Sequence, residues 1–300
     1  MPHPLDHKTF LSGFDSDTRA ALTARSDGPA LWHLAGHGGL IAVCAILIAV
    51  RVPMWGLLLP LQGILLSFLF TLAHECTHKT PFANERLNDT IGHICGVVLV
   101  LPFRTFRYFH LTHHKWTNIA GKDPELSGEP LTTRTRSLWH VSGLPYWRAQ
   151  FVQLASLAQG RFAAPWLPER AAAAVTREAR VIVAIYICVG FSLFFTPLLF
   201  WIWILPALLG QPVLRLYLLA EHGDCPMVAN MFENTRTTFT NRLVRFVAWN
   251  MPYHIEHHVW PQVPFHQLPA LHAHAKSHLG VTADGYAAFT KDYLARRTTR

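Results

Sequence analysis

Histidines at short helical spacings dominate the chemistry that this sequence could perform. They form three clusters: the first is His74-Glu75-Cys76-Thr77-His78, the second is His110-Leu111-Thr112-His113-His114, and the third is His254-Ile255-Glu256-His257-His258. In a helix, residues three and four apart share one face, so each cluster would direct its imidazoles to one side. The second and third clusters have the same spacing, which makes chance a poor explanation.

The number of clustered histidines indicates more than one metal ion. Imidazole binds zinc, copper, iron and nickel, and about four ligands fill a single zinc site. The three clusters supply eight histidines, so we expect a site for two ions. The five cysteines form no CxxC pair, which argues against a zinc knuckle or a disulfide framework.

The elements that must position these clusters are membrane helices. Hydrophobic residues make up 51% of the chain and charged residues only 15%, whereas about 25% is usual for soluble domains. Four apolar runs have roughly the 20 residues that a helix needs to cross a bilayer; they cover 31–50, 54–73, 181–200 and 201–220. Residues 91–103 are too few to cross and should pack in the interface or under the bundle. We expect one all-α integral membrane domain over 1–300, with four transmembrane helices in two hairpins.

Basic residues are distributed very unevenly over this layout. Of the 26 Lys and Arg residues, only Arg51 falls on the side opposite to the others. By the positive-inside rule, the basic side, with both termini and all three clusters, should be cytoplasmic. The net charge of +8 is then explained by attraction to anionic lipid headgroups rather than by binding to nucleic acid. The Ala- and Arg-rich composition favours a bacterial inner membrane.

A histidine site for two metal ions suits a redox enzyme, but two other classes of metal-dependent protein are alternatives. The first cluster also satisfies HExxH, in which two histidines bind zinc and the glutamate is the general base of a protease. Such a protease has no use for the second and third clusters. A metal transporter or sensor would place its ionisable residues inside the spans, whereas these clusters lie outside them.

The segments HECTH, HLTHH and HIEHH resemble the three histidine boxes of the membrane fatty acid desaturase superfamily, and the resemblance runs from about Leu65 to His278. It implies two helical hairpins with a cytosolic helical cap that holds a diiron centre. It also implies a ninth ligand just after the last span, where His222 lies. The family's asparagine four residues before that histidine is Leu218 here, so the asparagine contact is not carried over. The metal ligands implied are His74, His78, His110, His113, His114, His222, His254, His257 and His258.

The resemblance also implies the reaction. Two iron ions and O2 as co-substrate would desaturate an unactivated C–C bond of a fatty acyl or lipid-like substrate. The alternative is hydroxylation of a lipid, a carotenoid or a small metabolite on the same scaffold. Because the sequence contains no haem or flavin fingerprint, electrons should come from a separate ferredoxin, rubredoxin or cytochrome b5 type of donor.

Ligating imidazoles usually donate their second ring N–H to a carboxylate or carbonyl. Candidates for this supporting role lie inside or beside the clusters: Glu75, Glu256, Glu221, Asp123 and Asn250. The other histidines have weaker interpretations. His33 and His37 are polar residues within the first span, and His93 and His140 should be structural. The tail histidines (His266, His272, His274 and His278) should form a solvated or headgroup-facing stripe.

Topology gives the first testable prediction. Because of the charge asymmetry, reporter fusions after residues 130 and 300 should both give cytoplasmic signals. A fusion in the Arg51–Pro53 turn serves as the control and should report the opposite side. A periplasmic signal at either of the first two positions would contradict the four-span layout.

Overall fold

The computed structural model describes residues 5–298, and this part of the chain is mainly helical, which confirms the expected all-α class. Two short strands, β1 (Thr237–Thr238) and β2 (Thr282–Ala283), pair in parallel. A π-helical segment, Phe200–Ile204, continues directly into a long helix. The α-helices of the described range are α1 (His7–Ser12), α2 (Ser16–Thr23), α3 (Asp27–Ala49), α4 (Leu58–Ser67), α5 (Leu69–His78), α6 (Glu85–Leu99), α7 (Phe103–Trp116), α8 (Arg134–Val141), α9 (Leu144–Ala158), α10 (Ala172–Ser192), α11 (Leu205–His222), α12 (Met231–Asn234), α13 (Arg242–Val247), α14 (His254–Val259), α15 (Leu268–Ala275) and α16 (Tyr286–Ala295).

Three helical segments of the described range are long and apolar enough to cross a membrane: Ser16–Ala49, Trp55–His78 and Phe200–His222. They match the first, second and fourth predicted spans to within one residue at the shared turn, and each extends further on the other side. The turn between the first two lies where Arg51–Pro53 was predicted, because Arg51 and Met54 adopt left-handed backbone conformations with φ of 53° and 61° that end a right-handed helix. α4 and α5 form one continuous segment, since Phe68 between them keeps a right-handed helical conformation.

The third predicted span differs from the structure at both ends. Its helix, α10, begins at Ala172 rather than 181 and ends at Ser192 rather than 200. The early start follows from Glu178, whose carboxylate lies 2.7 Å from His93 Nδ1 and accepts a hydrogen bond from the Arg104 backbone N–H. These contacts give the charged Glu178 side chain, on the polar first half of the helix, its hydrogen-bonding partners. The assignment of α10 as a span stays a prediction.

α6 and α7 form a sharply bent pair that packs against α5. The two axes differ by 101°, and together the pair has the length and composition of a fourth, broken span. Gly92 permits the bend, because a Cβ there would lie 2.3 Å from the Phe103 ring. The predicted short apolar segment 91–103 forms this bend, and Cys95, Leu99 and Phe103 within it are buried.

α4 and α11 cross at a contact between two glycines. A Cβ on Gly63 would lie 2.1 Å from the Pro206 carbonyl oxygen, and one on Gly210 would lie 2.0 Å from the Gly63 carbonyl oxygen. The two backbones therefore touch directly, as small residues allow in membrane helix pairs. This contact joins the helix that carries the first histidine cluster to the helix that carries His222.

The C-terminal segment from α12 to α16 forms a cap that shares its core with the membrane helices. Leu72 of α5, Phe103 of α7 and Trp249, Phe232 and Phe265 of the cap belong to one buried apolar cluster. A polar contact adds to it: His37 of α3 approaches the Leu65 carbonyl oxygen through Nε2 at 2.9 Å and accepts from Trp249 Nε1 at 3.1 Å. The cap is therefore packed rigidly against the bundle.

The glycine contact predicts the effect of two small substitutions. Gly63→Ala and Gly210→Ala should each push α4 and α11 apart and lower the free energy of unfolding by about 1–3 kcal/mol, the usual cost of overpacking. Gly190→Ala in α10 is the matched control, because nothing lies within 4 Å of the added methyl group. Thermal unfolding in detergent measures all three variants; equal melting temperatures would contradict the contact.

Candidate metal centre

The histidines of interest are delivered by four separate helices. The first cluster lies in the last turns of α5, within the membrane helix rather than after it. The second cluster ends α7, the third forms most of the six-residue helix α14, and His222 is the last residue of α11. Most of these side chains are buried, and His257 is fully inaccessible.

The structure brings all nine imidazoles together in two adjacent groups. A five-histidine group has its ligand atoms within 4.8 Å of one another; it contains His74, His78, His110, His114 and His257. A second group contains His113, His222 and His258 on the same criterion. His254 extends it to a four-histidine group, because its Nε2 lies 3.1 Å from His222 Nε2.

The spacing of the ring nitrogens fits shared metal ions. Nε2 of His257 lies 2.6 Å from that of His74 and 3.2 Å from that of His114, and His78 and His110 are separated by 2.9 Å. His113 and His222 approach to 3.1 Å. Two nitrogens that bind one ion at about 2.0–2.1 Å lie roughly 2.8–3.4 Å apart for bond angles of about 90–109°, a range that includes all of these pairs except His74–His257, which is shorter. His258 Nε2 is buried without a hydrogen-bond partner within the described residues, as expected for an atom that faces a metal.

The cap imidazoles have the protonation state that metal binding requires. Burial lowers the pKa of His254 and His258 well below the usual histidine range, and it lowers the pKa of His257 to about 3. Because a ligating histidine must be neutral, these residues can bind a metal without first losing a proton at pH 7.

Three predicted carboxylates lie behind the imidazoles, next to Nδ1. Asp123 accepts from His113 Nδ1 at 2.9 Å. Glu75 Oε1 lies 3.3 Å from His257 Nδ1, and Glu221 Oε1 lies 3.5 Å from His254 Nδ1. A carboxylate hydrogen-bonded in this position, as Asp123 is, fixes the ring orientation and makes the metal-facing nitrogen a better donor, whereas the Glu75 and Glu221 contacts are close approaches without a hydrogen bond.

Asp123 is ionised in this arrangement. Burial alone would raise the pKa of its carboxyl group, but hydrogen bonds from His113 and from the backbone N–H groups of Asn118 and Glu125 hold the pKa below its usual value. The loop after the second cluster therefore folds back to present a carboxylate to that same cluster.

The other two predicted supporting residues have different partners. Glu256 accepts from Thr237 Oγ1 at 2.5 Å and pairs with His272 Nδ1. His272 therefore contributes to the cap rather than to a solvated stripe. Asn250 donates to the Phe265 carbonyl oxygen at 3.0 Å. Within residues 5–298, neither side chain makes a hydrogen bond to one of the nine histidines, because the cap turns both towards its own interior.

Two residues that lie next to the site were not predicted from the sequence. Thr117 Oγ1 lies 3.2 Å from His258 Nδ1, and the Asn234 carbonyl oxygen lies 3.3 Å from His222 Nδ1. Thr117 follows His113 and His114 at helical spacing, which is a usable signal. Asn234 lies in the cap, twelve residues beyond His222, and its contact depends on tertiary folding.

The histidines of the first span have structural contacts. His33 stacks on Phe246 with ring centroids 4.5 Å apart and contacts the Phe246 carbonyl oxygen through Nε2 at 2.7 Å. His37 contacts Leu65 and Trp249, as described above. Both residues therefore join α3 to the rest of the protein, and neither belongs to the two histidine groups.

Comparison with known proteins gives a consistent picture. The family model described as fatty acid desaturase matches residues 49–289. An sn-1 oleoyl-lipid 12-desaturase of Picosynechococcus is 35% identical over 72 residues, which cover 23% of this chain and 21% of that protein. A Delta(12) fatty acid desaturase of Mortierella isabellina is 35% identical over 25% of this chain and 18% of its own length. An sn-1 acyl-lipid omega-3 desaturase (ferredoxin) of Nostoc is 35% identical over 24% and 20% respectively. The chain thus matches about a fifth of the length of these relatives.

Histidine variants test which imidazoles bind metal. His222→Ala should lower the metal content per chain as much as His113→Ala and His257→Ala do, because each removes a nitrogen from one of the two groups. His140→Ala and His274→Ala are the matched controls and should keep full metal content. The measurement is metal per chain at equal expression, with helix content from circular dichroism. Full metal content in His222→Ala would remove it from the ligand set.

Proposed function

Because this chain belongs to the fatty acid desaturase family, we propose that it is an O2-dependent, non-haem diiron oxidoreductase. Its proposed reaction is the desaturation of an unactivated C–C bond in a fatty acyl or lipid-like substrate. The proposed iron ligands are the nine histidines of the five-histidine and four-histidine groups.

The observation that carries this proposal is the convergence of nine imidazoles, seven of them buried, in two adjacent groups. Four ligands suffice for one zinc ion, so nine nitrogens in two adjacent groups favour two ions. Imidazole ligands suit iron as well as zinc, and of these two metals iron is the redox-active one. When bound, the two iron ions would supply the redox chemistry that breaks an aliphatic C–H bond.

Aromatic side chains provide an apolar approach to the five-histidine group. Phe70 of α5 and Phe106 of α7 contact each other with ring centroids 5.3 Å apart. The Phe106 ring stacks on His110 at 5.5 Å, and Phe70 lies 6.4 Å from His74. These rings would exclude water and present a surface suited to a hydrocarbon chain, which supports a lipid-like substrate.

The proposed reaction requires electrons from outside. Removal of one hydrogen from each of two neighbouring carbons, with reduction of O2 to two waters, consumes two further electrons and two protons. We assign the electrons to a separate ferredoxin, rubredoxin or cytochrome b5 type of carrier. The name of the Nostoc relative includes ferredoxin, and the basic side of this protein, proposed to face the cytoplasm, would attract an acidic carrier.

The position of Glu75 argues against the zinc protease. In a protease of the HExxH type, this glutamate acts as the general base at the metal. Here the Glu75 carboxylate accepts hydrogen bonds from Thr80 Oγ1 and from the Phe265 backbone N–H, and it lies behind His257. It therefore supports a ligand on the side away from the metal.

The proposed function has a direct test. Purified protein loaded with Fe(II) in lipid vesicles, given a chemically reduced carrier and O2, should convert saturated or monounsaturated acyl chains to products two mass units lighter. His257→Ala at equal expression is the inactive control, and mass spectrometry of the lipids is the measurement. Products sixteen mass units heavier would identify the hydroxylase alternative. Equal turnover without O2, or with zinc in place of iron, would contradict the diiron proposal.

A further inference from the structure

His222 lies at a vulnerable position, the last residue of a membrane helix. The final carbonyl groups of an α-helix have no partner within the helix and need one from elsewhere. In α11 the carbonyls of Ala220 and Glu221 receive it from Arg236, and the His222 carbonyl accepts from the Cys225 backbone N–H. Arg236 Nη1 donates to the Ala220 carbonyl oxygen at 2.7 Å, and its Nη2 donates to the Gly223 carbonyl oxygen at 2.8 Å. Its backbone N–H donates to the Glu221 carbonyl oxygen at 2.9 Å.

The same segment also contacts the imidazole. His222 Nδ1 lies 3.3 Å from the Asn234 carbonyl oxygen and 3.5 Å from Thr235 Oγ1. The Asn234 side chain in turn donates to the Thr117 carbonyl oxygen at 3.1 Å, and Thr117 touches His258. Residues 234–236 therefore hold the backbone on both sides of His222, orient its ring and join it to the four-histidine group.

Arg236 is an unusual residue for a purely packing role. It is only 5% exposed, and within residues 5–298 its guanidinium has no carboxylate within 4.0 Å. Its charge is instead compensated by backbone carbonyls and by the Phe289 ring, 4.6 Å away. Burial of a charge is costly, whereas an apolar residue could fill the same volume. The rigid fork of a guanidinium can reach two carbonyls at once, which the single ammonium group of lysine cannot do in the same way.

We propose that Arg236 is a positioning residue for the metal centre. It fixes the end of α11 so that His222 Nε2 stays directed at the nitrogens of His113 and His254, each 3.1 Å away. The consequence is specific to one ion. Loss of the Arg236 side-chain contacts should weaken metal binding by the four-histidine group and leave the five-histidine group intact. This inference rests on the proposed diiron centre.

The test uses full-length protein in detergent, with Arg236→Lys and Arg236→Ala as the variants. Arg297→Lys is the matched control, because Arg297 is also an arginine that binds near the end of α11. Its guanidinium contacts Asp224 and the Tyr293 ring but none of the carbonyls of residues 220–223. Anaerobic Fe(II) titration measures the affinity for each ion. Hydrogen–deuterium exchange of residues 219–225 in the metal-free protein measures how firmly Arg236 holds the end of α11, independently of any metal.

We expect Arg236→Lys to weaken the binding of one Fe(II) ion about 10–100-fold, the usual effect of losing a group that supports a metal ligand. The second ion should bind normally, and exchange at 219–225 should accelerate. Arg236→Ala should show the same pattern more strongly, and Arg297→Lys should match the wild type.

Three outcomes would overturn the inference. One is normal binding of both ions in the two Arg236 variants. Another is equal weakening of both ions together with a lower melting temperature, which indicates general destabilisation. The third is unchanged exchange at 219–225. If the wild type itself binds fewer than two ions, the proposed diiron centre fails, while the exchange data still decide whether Arg236 holds the end of α11.

Discussion

The structure depends on one constraint: nine imidazoles, most of them buried, must gather in two groups in which neighbouring ring nitrogens lie about 3 Å apart. Neutral nitrogens at such distances repel unless a proton or a cation lies between them. A protein that buries this arrangement needs rigid carriers for every ring, and here α5, α7, α11 and α14 provide them. The remainder of the cap serves mainly to keep these four helices in register.

The supporting contacts come mostly from elements other than the one that carries the ring. Glu75 of α5 lies behind His257 of α14, Glu221 of α11 lies behind His254, and Thr117 contacts His258. Because these contacts cross between helices, the orientation of His254, His257 and His258 depends on the position of a second element. The short helix α14 could not hold three rings in place on its own, since isolated helices of this length are unstable in water.

Much of the site could be predicted from local periodicity, because spacings of three and four residues place histidines on one helical face. The joining of the three clusters in a two-metal site followed from the number of ligands, and the inclusion of His222 came from family resemblance and from its place after the last span. Long-range contacts explain the differences. α10 begins early because Glu178 pairs with His93, Glu256 turns away because Thr237 and His272 bind it, and Arg236 lies fourteen residues from the histidine it supports.

The glycine contact between α4 and α11 is the pivot about which the two helices that lead to the metal centre can change their crossing angle. Gly63 and His74 are eleven residues apart, and Gly210 and His222 are twelve apart, so each arm is about 16–18 Å long at a rise of 1.5 Å per residue. The two helix segments beyond the crossing therefore have nearly equal lengths, and a change in the crossing angle moves their ends apart. A change of one degree at the crossing would move the two helix ends, and with them the five-histidine and four-histidine groups, about 0.3 Å apart, which is comparable to the ~0.2 Å range within which metal–ligand distances are held. The geometry of the metal centre is thus sensitive to the angle at which α4 and α11 cross, about 16–18 Å away.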